Sequence, residues 1–163
     1  MTHLKPPYIG GMEFAGHVHS VGDGSSALPI GQAVMGVVNA RRPQGGGHSQ
    51  LVCVPAVSLA RLDKSVDLSA AAAVPMNGLT AKMALDVLNL PSKGALLVTG
   101  GAGVVGGYAV QLAKHAGLLV ISDAKESDVD LLRRRPRITE SLRRENFAGG
   151  GFPRQVGVCS MAA

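Results

Sequence analysis

Ala95-Leu-Leu-Val-Thr-Gly-Gly-Ala-Gly-Val-Val-Gly-Gly-Tyr-Ala-Val-Gln-Leu-Ala-Lys114 is the stretch from which the rest of the chain is read. Ala95–Val98 is an unbroken apolar run, as expected of a strand buried on both faces. Gly101-Ala-Gly103-Val-Val-Gly106 follows it in the pattern G-x-G-x-x-G. Tyr108–Ala116 then carries apolar Val110, Leu112 and Ala113 on a helical pattern, and Gly117 supplies a stop. Leu118–Ile121 is a second apolar run. Strand, glycine turn, helix and strand in that order predict a β-α-β unit, and with it a parallel sheet covered by helices.

Each glycine of the turn has a physical use. Gly101 permits a tight exit from the strand, Gly103 lets backbone N–H groups approach a pyrophosphate, and Gly106 lets the helix lie close to the strand. The helix N-terminus adds unpaired donors and a partial positive charge, which favour an anion. Gly101, Gly103, Val104, Val105 and Gly106 are therefore the candidate phosphate-binding residues. Glycines that serve only tight packing give the same pattern, but a preceding buried strand and a following helix favour dinucleotide binding. Asp123 lies 22 residues after Gly101, close to the spacing at which a carboxylate meets an adenosine ribose. Such a carboxylate favours NAD by repelling a 2′-phosphate, whereas Lys125 would attract that phosphate. The residues leave NAD and NADP open. An exposed loop carboxylate or a helix cap is the other reading of Asp123.

Upstream, Glu13–Val21, Gln32–Val38, Ser49–Val54 and Leu59–Leu62 read as short strands between Gly-rich turns, which suggests a small antiparallel barrel. Asp67–Val74 reads as a helix with Asp67 or Ser69 at its start, ended or kinked by Pro75, and Asn77 opens a second helical run over Gly78–Leu88. Cys53 sits in the apolar run Leu51–Val54 and reads as core. Downstream of Leu132 neither period is visible.

The net charge of +5 is unevenly spread. Residues 1–132 carry nine cations and nine acids, while residues 133–163 carry seven arginines against two acids. The excess belongs to a tail whose Arg133–Arg144 cluster has no interleaved aromatics, so a nucleic-acid partner is not expected. No apolar stretch has the length of a membrane span, and Met1-Thr-His-Leu-Lys lacks a secretory pattern. The expectation is a soluble, cytoplasmic protein. Cys53 and Cys159 form no C-x-x-C pattern, which argues against a disulfide framework or a structural zinc. His17 and His19 share a strand face without a third ligand in view, so a solvated face is expected there. No nucleophile triad is discernible.

Further segments add a resemblance. Pro7-Tyr-Ile-Gly-Gly-Met-Glu-Phe-Ala-Gly16, Val21-Gly-Asp, Gly31-Gln-Ala-Val-Met-Gly36, Pro75-Met-Asn-Gly-Leu-Thr-Ala81 and Val98–Lys114 resemble, in order, segments of the medium-chain dehydrogenase/reductase superfamily. The form of Val98–Lys114 is closest to its zinc-free quinone oxidoreductase branch. The resemblance covers roughly residues 6–132. It implies a barrel like that of GroES followed by a Rossmann cofactor domain, hydride transfer between NADP or NAD and a quinone, enone or carbonyl, and frequent homodimers. It also implies that Gly103–Gly106 hold the pyrophosphate and that Thr80 lies near the nicotinamide. Asp123 matches the ribose acid of the NAD-dependent members.

Two departures qualify what the resemblance implies. Zinc alcohol dehydrogenases carry Gly-His-Glu where this chain has Gly11-Met12-Glu13, and Met12 is not an ordinary zinc ligand, so no zinc is expected. In the zinc-free branch polar donors rather than a metal must stabilise the developing oxyanion. The early barrel strands and the later part of the sheet are not recognised in this chain. The expected organisation is a partial GroES-like domain over 1–75, a partial Rossmann domain over 76–132, and a basic tail over 133–163 that is disordered or frame-shifted. The expected function is that of an NAD(P)H-dependent oxidoreductase. The alternative is a non-catalytic remnant that at most binds nucleotide or a partner subunit.

Overall fold

A computed structural model describes residues 6, 8–22, 28–124, 126–128, 130, 140–143 and 156–160. The chain divides into two compact units, Met1–Met76 and Asn77–Ala163. The first is built on an antiparallel sheet and the second on a parallel one.

In the first unit, β1 (Glu13–His17), β2 (Ala33–Val37) and β3 (Leu59–Arg61) form a sheet in the order β1-β2-β3. Glu13 faces Val37 and His17 faces Ala33, while Val34 faces Arg61. Leu28, Ala33, Val34 and Val38 are buried. Phe14 lies opposite Gly36, where a Cβ would come within 3.2 Å of the Phe14 ring and 2.8 Å of the Ser58 carbonyl oxygen. The glycine-rich loop that ends at Gly47 is laced to the segment before β1: Gly46, Gly47 and His48 donate to the carbonyls of Ile9, Gly11 and Gly10.

Two expectations fail here. Ser49–Val54 forms no strand. Exposure alternates only from Leu51 to Val54, and the carbonyl of Cys53 accepts from the Arg42 guanidinium rather than from a strand amide. Cys53 is exposed rather than core, because alternation turns it outward while Val52 and Val54 are half-buried. Helix α1 (Leu68–Ala71) is a single turn capped by Asp67, whose carboxylate accepts from Ser69 at 2.6 Å and Ala70 at 3.2 Å.

Helix α2 (Pro75–Leu88) begins at Pro75 rather than after it. Proline suits the first helical position, where its missing N–H costs no bond and its φ is already helical. A carboxylate from far away in sequence caps this helix: Glu13 Oε2 accepts from the Met76 amide at 2.8 Å.

The second unit is the predicted β-α-β unit with additions. Here β4 (Ala95–Thr99), α3 (Val104–His115) and β5 (Leu119–Ala124) follow one another, and β4 and β5 are parallel, with Ala95 facing Leu119 and Val98 facing Ser122. Ala95–Val98 are all buried, as the apolar run implied. Leu96, Val98, Val120, Val110, Ala109, Ala113 and Ala81 form the core, with Leu85, Leu88, Val105, Tyr108 and Leu112 packed on it. Truncating a fully buried leucine such as Leu96 to alanine costs roughly 2–5 kcal/mol in sites of this kind. Gly117, with φ of +77°, ends α3 as expected, and the Leu118 amide returns to the Ala113 carbonyl at 3.0 Å.

The region read as a tail supplies two more strands, β6 (Glu140–Arg143) and β7 (Val156–Ser160). The sheet order is β6-β5-β4-β7, all parallel. Backbone ladders need no apolar pattern, so a strand like Glu-Ser-Leu-Arg leaves no trace in hydropathy. The rest of 133–163 lies outside the described residues. Successive strands step from β4 through β5 to β6 on one side, and the chain then places β7 on the other side of β4. That reversal makes the carboxyl end of β4 a topological switch point, the location at which open parallel sheets bind ligands.

Replacing Glu13 with alanine should destabilise the first unit by about 1–2 kcal/mol in urea unfolding, because the Met76 amide loses its acceptor. Glu13→Gln should recover most of that loss. Equal effects of the two substitutions would show that the cap contributes nothing.

Candidate functional site

The exit of β4 is a turn held from several directions. Gly100 takes φ of +73°, a left-handed conformation that side chains disfavour. Its carbonyl accepts from the Gly103 amide at 2.9 Å, which closes the turn. A Cβ on Gly106 would stand 2.2 Å from the Gly100 oxygen and 2.9 Å from Gly101 Cα. Gly106 is thus required by the turn itself, not only by the approach of helix to strand. The residue with positive φ is Gly100, one place before the glycine assigned that role in the sequence pattern. Gly101 is buried in the turn without a positive φ. A G-x-x-G-x-x-G reading over Gly100, Gly103 and Gly106 would have found it.

Gly103 differs from its neighbours. Its φ of −68° and ψ of 171° are ordinary extended values, and a Cβ there would meet only the Gly100 oxygen, at 3.2 Å. It is exposed and is the N-cap of α3, with no side-chain cap bond and no acid in the first turn. α1 and α2, in contrast, each receive a carboxylate. The amides of Val104, Val105 and Gly106 begin α3, and the first amides of a helix lack partners within the helix itself. Val104 is exposed, Val105 packs on the core, and Gly106 is buried. At the far end of α3, Lys114 and His115 stand in the last turn, where carbonyl ends favour cations. Partial burial lowers the Lys114 ammonium below its ordinary pKa.

Asp123 lies within β5 rather than after it. Its Oδ1 accepts from the Gly100 amide at 2.5 Å, so it joins the turn and is not a loose loop carboxylate. Beside it, the fully buried Ser122 donates its hydroxyl to the Val98 carbonyl at 3.1 Å. Of the predicted site residues, Gly101, Gly103, Val104, Val105, Gly106 and Asp123 come together around Gly100. Thr80 is exposed on α2, one residue before the buried Ala81. Lys125 lies outside the described residues. Tyr108 packs against the core.

The first unit holds a separate hollow of about 750 Å³, lined by Phe14, Val18, Leu28, Val34, Val52 and Leu59 among others, and by none of the predicted site residues. His17 and His19 also line it. Among the described residues, no three His, Cys, Asp or Glu side chains are placed to share a metal ion. Met12 is exposed. No described helix is long and apolar enough to cross a membrane.

Comparison with known proteins gives a consistent picture. Residues 1–64 match the model of the alcohol dehydrogenase GroES-like domain. A trans-enoyl reductase of Aspergillus japonicus is 32% identical over 142 residues, covering 80% of this chain and 42% of that protein. A mitochondrial NAD(P)H oxidoreductase of Drosophila melanogaster is 34% identical over 143 residues, covering 80% of this chain and 34% of that protein. The quinone oxidoreductase structure from Coxiella burnetii superposes with a TM-score of 0.69 at 28% identity, over 81% of this chain and 41% of that one. The chain thus spans well under half the length of these relatives.

The glycine geometry separates two substitutions. Gly106→Ala should lower stability by about 1–3 kcal/mol, since backbone atoms must move to admit the methyl group. Gly103→Ala should cost less than about 1 kcal/mol, the usual scale at an N-cap. Urea unfolding of both variants checks this, and an equal loss would contradict the geometry.

Proposed function

Because the chain belongs to the medium-chain dehydrogenase/reductase superfamily, we propose that it binds NADPH or NADH at the Gly100–Gly106 turn and reduces a quinone, an enone or a related carbonyl. The observation that carries the proposal is the bare start of α3: an exposed glycine N-cap, no carboxylate, and the amides of Val104, Val105 and Gly106 at the switch point of a parallel sheet. A diphosphate fits such a place because the donors and the helix dipole both favour negative charge. Gly103 needs no glycine for its own φ and ψ, but a Cβ there would crowd the Gly100 oxygen at 3.2 Å and narrow the space for a ligand at the exposed start of α3.

In this reading the Val104–Gly106 amides hold the pyrophosphate, Asp123 faces the adenosine ribose, and Thr80 stands on the nicotinamide side. When bound, the nicotinamide supplies the hydride. The chain's own part is to bind and orient, since no side chain of the turn is a proton donor. The substrate class follows from the likeness to a trans-enoyl reductase and a quinone oxidoreductase. The zinc-free reading rests on Met12 in place of a histidine.

A second reading, cofactor binding without turnover, is favoured by one observation. The chain spans only 34–42% of the two curated relatives, so residues those proteins use for reduction need not be represented in it.

Titration with NADPH or NADH should raise the fluorescence of the reduced nicotinamide and saturate. Gly103→Ala should raise Kd at least about tenfold, equivalent to about 1.4 kcal/mol. Quinone-dependent oxidation of the bound cofactor would support the reductase, and saturable binding without oxidation would select the second reading. Unchanged fluorescence with both cofactors would contradict both.

A further inference from the structure

We propose that Asp123 is a positioning residue that sets the shape of the glycine turn through the Gly100 amide, leaving one carboxylate oxygen for a ribose. The second half of this statement rests on the cofactor reading above; the first half does not.

The ladder between β4 and β5 runs from Ala95 facing Leu119 to Val98 facing Ser122. The next link between the two strands is not a backbone pair. It is the bond from the Gly100 amide to Asp123 Oδ1, 2.5 Å long. A side chain therefore takes over where the sheet stops, at the residue that must turn. Gly100 is the hub of that turn. Its amide is held by Asp123, its carbonyl accepts from Gly103, and the same carbonyl packs into the space left by the absent Gly106 side chain. The Gly103 N–H and the start of α3 are thus referred back to β5 through a single residue. Ser122 strengthens the anchor, since its buried hydroxyl ties β5 to the Val98 carbonyl. A carboxylate bond to a backbone amide is stronger than a neutral one and directs the donor more firmly.

A residue that touched only a ribose would matter only to ligands that carry one. A residue acting through Gly100 matters to any anion held by the turn. Inorganic pyrophosphate, which has no ribose, separates the two roles. Asp123→Ala removes the acceptor and the charge. Asp123→Asn removes the charge but keeps an oxygen where Oδ1 stands. Charge effects on the anion are therefore shared by the two variants, and their difference reports the bond to Gly100.

The experiment is a pyrophosphate titration of the whole chain followed by amide resonances, with hydrogen exchange of the Gly100 amide measured alongside and the β4 core amides as the control for folding. Asp123→Ala should bind pyrophosphate roughly tenfold more weakly than Asp123→Asn. Gly100 exchange should be slow in the wild type and in Asp123→Asn, and fast in Asp123→Ala. Equal pyrophosphate affinity in the two variants would overturn the proposal. If the wild type binds neither pyrophosphate nor cofactor, the functional reading fails, and hydrogen exchange alone decides the positioning role: equal Gly100 exchange in all three proteins would overturn it.

Discussion

The carbonyl oxygen of Gly100 occupies the place in which a side chain on Gly106 would begin, 2.2 Å from its Cβ position. This close approach fixes where α3 starts relative to the end of β4. It lets the strand turn sharply into the helix. The positive φ of Gly100 and the bond from Gly103 to the Gly100 carbonyl belong to the same constraint. A methyl group at Gly106 would push these pieces apart, and the donors at the mouth of α3 would lose their common aim.

The surrounding sheet gives the turn its meaning. β4 is an interior strand of a parallel sheet in which the chain moves outward on one side and then returns to the other. Helices that leave neighbouring strands on opposite sides of such a point open a crevice at the strand ends. The core of Leu96, Val98, Val110 and Val120 holds strand and helix together from within, and Asp123 and Ser122 tie the exit from β5. Two other carboxylates, Asp67 and Glu13, close the starts of α1 and α2. The start of α3 has no such closure, and it is the place where an external anion has the most to gain.

Much of this was legible in the residues. The apolar run Ala95–Val98 and the Gly117 stop have local causes, and each is found where it was read, while the glycine turn is there with its positive φ one residue earlier, at Gly100. The four barrel segments were read from alternation, and three of them are strands. The fourth, Ser49–Val54, alternates without a ladder, because pairing depends on a neighbour that alternation cannot report. For the same reason β6 and β7 were missed: their strand character comes from lying beside β5 and β4. The roles of Gly100 and Glu13 were also missed. One differs from its neighbouring glycine only in backbone angle, and the other acts on an amide 63 residues away. Spacing singled out Asp123 but could not give its bond to the turn, since spacing places a residue without saying what its side chain reaches.

A crystal structure of the chain with NADPH or NADH bound tests the central claim most directly. The account predicts pyrophosphate oxygens within about 2.7–3.2 Å of the Val104, Val105 and Gly106 nitrogens, the range of an N–H hydrogen bond. A cofactor seated away from the start of α3, or a side chain folded over those three amides, would contradict it.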